Sequence, residues 1–177
     1  NDVDVIRGFL LLGDAYYEQK NYEAAETTMN QLASRKLTPE LGWRREYLIA
    51  NSQLAGGRAD AALKRITNLV QLATAASNAV FHANSLMFQG AILETRKPSD
   101  AIQVYEAITA IKGIPAVQSR QAVLKVAALN VEQNRLTNAI QRLRSFLVQY
   151  QQAPDLGLVR LTLGELHLKQ FHALADK

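Results

Sequence analysis

The sequence predicts an all-α fold, a right-handed solenoid of antiparallel helical hairpins, from two spacings that repeat along the chain. Alanines recur every 37 to 39 residues, and a small residue precedes each of them by 11 or 12 positions. Because two helices approach closely only where side chains are small, this recurring pair indicates hairpins stacked in a row. The alanines are Ala25, Ala62, Ala101 and Ala139, and the small residues are Gly13, Ala50, Gly90, Ala127 and Gly164.

The second helix of each predicted hairpin carries an apolar stripe. A bulky apolar residue follows each alanine by four positions, and another comes three positions later. Positions i, i+4 and i+7 lie on one side of an α-helix, so the stripe is predicted to be buried. No segment alternates with a period of two, so we predict no strand. The stripe consists of Met29, Ile66, Tyr105 and Leu143, followed by Leu32, Leu69, Ile108 and Phe146.

Turn and capping residues divide the pattern into nine helices. Gly56-Gly57 is typical of a helix C-terminus and ends the third helix. Pro98 suits the first turn of the sixth helix, where its missing N–H costs nothing. Thr38 and Asp60 are candidate N-caps or first-turn acids. The predicted helices are 3–19, 22–36, 39–55, 59–73, 76–95, 98–112, 115–133, 136–152 and 154–174, the last starting at Pro154.

The first hairpin resembles the tetratricopeptide repeat (TPR). Leu11 to Ala33 reads LLGDAYYEQKNYEAAETTMNQLA, and the family's first six pattern places hold Phe9, Leu12, Gly13, Tyr16, Ala25 and Met29. The resemblance extends over nearly the whole chain, although the period exceeds the family's 34 residues. It implies a single repeat domain, 1–177, that is a fragment of a longer protein. Its units run over roughly 3–37, 38–75, 76–113, 114–152 and a half unit, 154–177.

Catalytic, metal and cofactor sites are not predicted. Without cysteine, disulfides, thiolate catalysis and thiolate zinc sites are excluded. His167 and His172 are five residues apart, about 140° around a helix, whereas zinc-binding pairs need i, i+4. Gly56-Gly57 lacks the Lys-Ser/Thr of a phosphate-binding loop. We therefore predict a chain that is not an enzyme and binds no cofactor.

Charge and hydropathy restrict the partners. The net charge is +4, yet residues 1–34 hold six acids against two bases. An acidic first unit and a basic remainder could steer a dipolar partner or favour end-to-end contacts. The basic doublets are not interleaved with aromatic residues, which disfavours nucleic acid. No apolar run approaches the 18 residues of a membrane span.

The resemblance implies a protein partner held in a concave groove lined by the first helices. The family's chaperone-tail clamp is absent, since its places hold Leu10, Asp14, Leu48, Asn84 and Phe88. An apolar groove with sparse charge suits a peptide or an amphipathic partner helix. The predicted groove residues are Asp14, Tyr17, Arg44, Tyr47, Asn51, Leu54, Met87, Phe88, Leu124, Lys125 and Val131.

Two alternatives stay open beside this scaffold function. One is a regulatory or recruiting domain of a larger enzyme or of an envelope-assembly protein, because the composition is similar to that of bacterial TPR proteins. The other is a self-associating structural repeat, because the terminal helix is apolar on more than one face. Bacterial periplasm or envelope and cytoplasm are both compatible with the sequence.

Overall fold

A computed structural model of the chain describes residues 2–153 and 156–175, and all regular secondary structure within these ranges is helical. The all-α prediction is therefore confirmed for the described residues. Ten helical segments follow one another there: α1 (Asp2–Glu18), α2 (Tyr22–Asn30), α3 (Pro39–Ala55), α4 (Ala59–Lys64), α5 (Ile66–Ala75), α6 (Ala79–Leu93), α7 (Pro98–Thr109), α8 (Ala116–Glu132), α9 (Leu136–Gln149) and α10 (Gly157–Ala175).

Two helix boundaries differ from the prediction because the backbone tightens locally. The second helix ends at Asn30, since the N–H groups of Leu32 and Ala33 bond carbonyls three residues back instead of four. The predicted fourth helix is divided into α4 and α5 at Arg65, whose N–H bonds the carbonyl of Ala62. The predicted start of the ninth helix at Pro154 lies outside the described residues, and α10 begins at Gly157.

The chain divides into two compact units, Asn1–Ile92 and Leu93–Lys177. In the first unit, a first core cluster joins α1, α2 and α3 through Ile6, Leu10, Met29, Leu32, Leu48 and Ile49. A second core cluster joins α3 to α4, α5 and α6 through Trp43, Ala50, Ala62, Ile66, Leu69, Ala73, Phe88 and Ile92. Helix α3 is thus buried on two sides.

The second unit has a core of its own, the third core cluster. It joins α8, α9 and α10 through Val123, Ala127, Ala139, Ile140, Leu143, Phe146, Leu156, Val159 and Leu166. Helix α7 packs against α8 in the same unit. The Tyr105 hydroxyl of α7 donates a 2.5 Å hydrogen bond to the Glu94 carboxylate.

The small residues lie where helices approach each other, as the sequence predicts. All four alanines of the series are fully buried. A Cβ added to Gly13 would lie 2.6 Å from Met29 Cε and 2.9 Å from Leu48 Cδ2, so α2 and α3 leave no room for a methyl group. Gly164 differs, because no atom outside its own helix comes within 4 Å of an added Cβ.

Three of the turns between paired helices contain a residue with a left-handed backbone. Gly57 has φ +78°, and the Arg58 N–H bonds the Gln53 carbonyl, which closes the end of α3 as predicted. Lys20 (φ 60°) and Asn134 (φ 59°) hold the same position after α1 and α8. The predicted cap is also present, since Thr38 accepts a 3.4 Å hydrogen bond from the Leu41 N–H at the start of α3.

Candidate partner-binding groove

Helices α1 and α3 of the first unit line a groove that Phe81 of α6 closes at one side. Its cavity measures about 850 Å³. Leu10 and Leu48, which face each other across the first core cluster, form part of its floor. The lining consists of Val3, Arg7, Leu10, Leu11, Asp14, Tyr17, Glu18, Thr38, Glu40, Leu41, Trp43, Arg44, Tyr47, Leu48, Asn51 and Phe81.

An aromatic stack gives the groove a rigid side. The Trp43 ring stacks on Phe81 with centroids 4.1 Å apart and on Tyr47 with centroids 4.5 Å apart. The Trp43 indole N–H donates a 2.9 Å hydrogen bond to the Ser85 hydroxyl, so the buried ring has its polar atom satisfied. Tyr47 also meets the edge of Phe88 at 5.9 Å. Because the rings brace one another, the exposed part of Tyr47 is held in one orientation.

Charged side chains stand at the rim of the groove. Partial burial raises the pKa of Asp14 above its usual 3.8; the Arg44 guanidinium opposes this rise and the Glu18 carboxylate adds to it. Burial likewise raises the pKa of Tyr47, whose phenol therefore stays protonated at neutral pH and can donate a hydrogen bond. Burial also raises the pKa of Tyr17. The rim can thus engage either sign of charge beside an apolar floor.

The structure brings together five of the eleven predicted groove residues around this cavity. Asp14 and Tyr17 lie on α1, one turn apart, and Arg44, Tyr47 and Asn51 lie on successive turns of α3. The Asn51 side-chain amide donates a 2.8 Å hydrogen bond to the Tyr47 carbonyl, which fixes its position at the lining. These residues meet because α1 and α3 occupy equivalent places in adjacent hairpins.

The other predicted residues of the first unit lie away from the lining. Phe88 is only 5% exposed and belongs to the second core cluster. Leu54 is half-buried and packs against that cluster. Met87 is half-buried and does not line the cavity. Phe88 contacts the lining residue Tyr47 but does not itself line the cavity.

In the second unit, the predicted residues Leu124 and Val131 of α8 are half-buried and pack against the third core cluster. Lys125 is exposed, and its ammonium lies 2.9 Å from the Glu94 carboxylate. The apolar side chains of Leu124 and Val131 thus contribute mainly to packing within the unit. Their part in binding a partner stays a prediction.

Leu11, Trp43 and Phe81 are among the lining residues that were not predicted from the sequence. Trp43 precedes Tyr47 by four residues, a spacing that places both rings on one helix face, and it is the single tryptophan of the chain. Leu11 is an exposed leucine in α1. No local signal identifies Phe81, because its ring reaches Trp43 only through the packing of α6 on α3.

A buried ionic network holds α3 in position away from the groove. The Glu46 carboxylate lies 2.5 Å from Arg45 and 2.6 Å from Arg65. Arg65 also donates to the Gln53 amide oxygen at 3.1 Å, and Gln53 donates to Glu26 of α2 at 2.7 Å. These bonds join α2, α3 and Arg65, the residue that separates α4 from α5.

No helix among the described residues is long and apolar enough to cross a membrane. Within residues 2–153 and 156–175, no three His, Asp or Glu side chains converge in a metal-binding arrangement.

Helix α1, one of the two groove helices, lies largely within the part of the chain that matches a known family. The family model described as "Tetratricopeptide repeat" matches residues 8–35, which include most of α1 and all of α2. No curated protein matches the chain in sequence. Among solved structures, the fold is similar to the crystal structure of the apo form of RapI, with a TM-score of 0.70 and 14% identity over 99% of this chain and 70% of that chain. Residues 8–35 thus match a tetratricopeptide repeat, and the all-helical fold of the chain is similar to that of RapI.

Proposed function

We propose that the chain is a non-enzymatic scaffold that binds a peptide or a partner helix in the groove between α1 and α3. The observation that carries this proposal is the cavity of about 850 Å³, in which apolar and aromatic side chains from two adjacent hairpins share one floor. A helix lying in such a groove buries the apolar residues of one face, at positions i, i+3, i+4 and i+7.

The chemistry of the groove favours binding by apolar anchors with polar positioning at the rim. Rigid aromatic rings such as Tyr47, supported by Trp43, offer large contact area at little cost in conformational entropy. Asp14 lies on α1 and Arg44 lies on α3, so the two can form ion pairs with oppositely charged side chains of a partner. Specificity would then come from the positions of the partner's charges relative to Asp14 and Arg44, and affinity from burial of the apolar floor.

The lining supports a binding function more than a catalytic one. The residues that line the cavity include no histidine, serine or lysine, which are frequent nucleophiles and general bases. Its acidic residues are Asp14 and Glu18 of α1 and Glu40 of α3, which can pair with basic side chains of a partner.

A displayed peptide library tests this function with a defined probe. Sixteen-residue random peptides on phage would be selected against the 177-residue chain, and the winners synthesised and titrated by fluorescence anisotropy. We expect binders with apolar residues at helical spacing, with dissociation constants on the order of micromolar. Tyr17→Ala and Arg44→Glu should each weaken them about tenfold or more, because each removes a groove contact.

Lys112→Glu provides the matched control, since this exposed lysine lies in the second unit, outside the groove. It makes the same change of charge as Arg44→Glu and should leave binding unchanged. Circular dichroism should show unchanged helix content in all three variants. Peptides that bind both groove variants as tightly as the control variant would place the binding surface elsewhere and overturn the proposal.

A further inference from the structure

The groove is acidic and aromatic where α1 ends. Asp14 and Glu18 lie one turn apart in the last two turns of α1, and Tyr17 lines the cavity beside them. Tyr47 and Asn51 of α3 complete this part of the lining. Burial raises the pKa of Tyr17, and the nearby Tyr47 phenol contributes to the rise, so the two helices bring these tyrosines close together. We call Asp14, Tyr17, Glu18, Tyr47 and Asn51 the acidic end of the groove.

The opposite part of the groove carries two arginines. Arg7 and Arg44 line the cavity and hold equivalent places on α1 and α3, 37 residues apart. Glu40, one turn before Arg44, is the acidic residue of that part of the lining. Arg7 precedes Glu18 by 11 residues on α1, which is about 16 Å along the helix axis. The charge of the lining therefore changes sign along the groove, so the groove can distinguish partners by the order of their charges.

The carboxylates of the acidic end form no ion pair within the described part of the chain. Glu26 and Glu46, by contrast, each pair with arginine side chains of the same unit. Partial burial raises the pKa of Asp14, and the Arg44 guanidinium only partly opposes this rise. A cation bound beside Asp14 and Glu18 would stabilise their ionised forms. Both carboxylates are thus available to a partner.

Aromatic rings and an amide oxygen lie beside these carboxylates. Tyr17 and Tyr47 are both half-buried, and Trp43 holds the Tyr47 ring by stacking on it with centroids 4.5 Å apart. The face of such a ring attracts a cation. The side-chain amide of Asn51 donates to the Tyr47 carbonyl at 2.8 Å, which leaves its oxygen as an acceptor. A guanidinium matches this set, because its plane stacks on aromatic rings while its N–H groups reach several acceptors at once.

We propose that the acidic end binds an arginine side chain of the peptide or partner helix that occupies the groove. This inference rests on the proposed function and names the chemistry of the partner. The guanidinium donates hydrogen bonds to the carboxylates of Asp14 and Glu18 and to the Asn51 oxygen. Its plane lies against the tyrosine rings of the acidic end. The apolar residues of the same partner then cover Leu10 and Leu48 on the groove floor.

Two phage libraries of sixteen-residue peptides test this inference on the 177-residue chain. They are alike except that the central residue is arginine in one and glutamine in the other, and arginine and lysine are excluded from all other positions. After selection from an equal mixture, we expect arginine peptides to outnumber glutamine peptides about tenfold or more. Replacing the arginine of a selected peptide by glutamine should weaken its binding by a similar factor in anisotropy titrations.

Neutral variants of the chain locate the bound arginine. In the variant with Asp14→Asn and Glu18→Gln, the same replacement in the peptide should weaken binding by about twofold or less, because the carboxylates that the arginine contacts are gone. The variant with Asp4→Asn and Glu23→Gln is the matched control. It removes two exposed carboxylates outside the cavity lining and should keep the full effect of the replacement. Circular dichroism should show unchanged helix content in both variants.

Failure of this inference and failure of the proposed function give different results. Peptides that are weakened by Tyr17→Ala and Arg44→Glu, but not by replacement of their arginine, would overturn this inference and leave the groove function standing. An equal effect of the replacement in the doubly neutral variant would place the arginine on another surface and would also overturn it. Peptides that bind as tightly with lysine in place of arginine would contradict the assignment of a guanidinium. Absence of binders from both libraries would refute the proposed function and this inference together.

Discussion

Replacing Gly13 by alanine tests whether the small residue at this repeated position is needed for α1 to approach α2 and α3 closely. The new methyl group would lie 2.6 Å from Met29 Cε and 2.9 Å from Leu48 Cδ2, well inside van der Waals contact. Both neighbours are buried in the first core cluster, so they cannot leave without disturbing other contacts. Overpacking of this kind costs about 1–3 kcal/mol.

A helix-propensity gain opposes this cost and has to be subtracted. Glycine to alanine inside a helix stabilises it by about 1 kcal/mol. Gly8→Ala in the same helix measures that gain alone, because its added Cβ meets no atom within 4 Å. The Met29 contact is the end of a flexible side chain that can partly turn away, so we expect the lower part of the overpacking range. The free energies of unfolding of the two variants should then differ by about 1–2 kcal/mol, with Gly13→Ala the less stable.

Urea unfolding followed by tryptophan fluorescence measures this difference where it arises. Trp43 is the single tryptophan of the chain and is buried. It belongs to the same unit as Gly8 and Gly13. Equal stabilisation by Gly13→Ala and Gly8→Ala would refute the reasoning, since it would mean that the helices have room for a methyl group at the small position.

Two further predictions concern charged groups of the first unit. Glu46→Ala leaves two arginines without their shared carboxylate and should lower the free energy of unfolding by about 3 kcal/mol. Asp2→Ala removes an exposed ion pair and should change that free energy by less than about 1 kcal/mol. Equal losses of the two variants in urea titrations would contradict this prediction. The pKa of Asp14 is raised by burial, so its contribution to stability is present below its usual pKa of 3.8 and is lost as the pH rises through the folded value. Asp14→Asn removes that loss, so its stability relative to the unmodified chain should increase as the pH rises from below 3.8 to neutrality, and a constant or falling difference would contradict the sign of the shift.

Local spacing was sufficient to predict most of the helices and the buried stripe. Pro39 and Thr38 fixed the start of α3, because a missing N–H and a side-chain acceptor act within one turn. The interruption at Arg65 was not predicted, because neither glycine nor proline marks it in the sequence. The left-handed backbone of Lys20 was missed because that conformation is usually a glycine's, whereas Asn134 is of a residue type that often adopts it.

The candidate groove was only partly accessible to sequence reasoning. Asp14, Tyr17 and Tyr47 were predicted to line a groove, and they lie around one cavity between two adjacent first helices, while their part in binding stays a prediction. Phe88 occupies a first helix as well, yet it is buried in the core. Periodicity cannot distinguish a groove residue from a core residue, because apolar side chains on neighbouring stripes of the same helix can face either the groove or the core. The stack of Trp43 on Phe81 joins residues 38 positions apart and has no sequence signature.

The sequence alone determined the helical hairpins and the places of their small residues, because a period of 3.6 residues and a repeat of nearly constant length act along the chain. The tertiary structure decided which members of one repeat position are covered. Leu10 and Leu161 hold the same place in their units, yet one is 6% exposed and the other 60%. Leu10 is covered by Met29 and Leu48, neighbours in space that its own identity and its place in the repeat do not reveal.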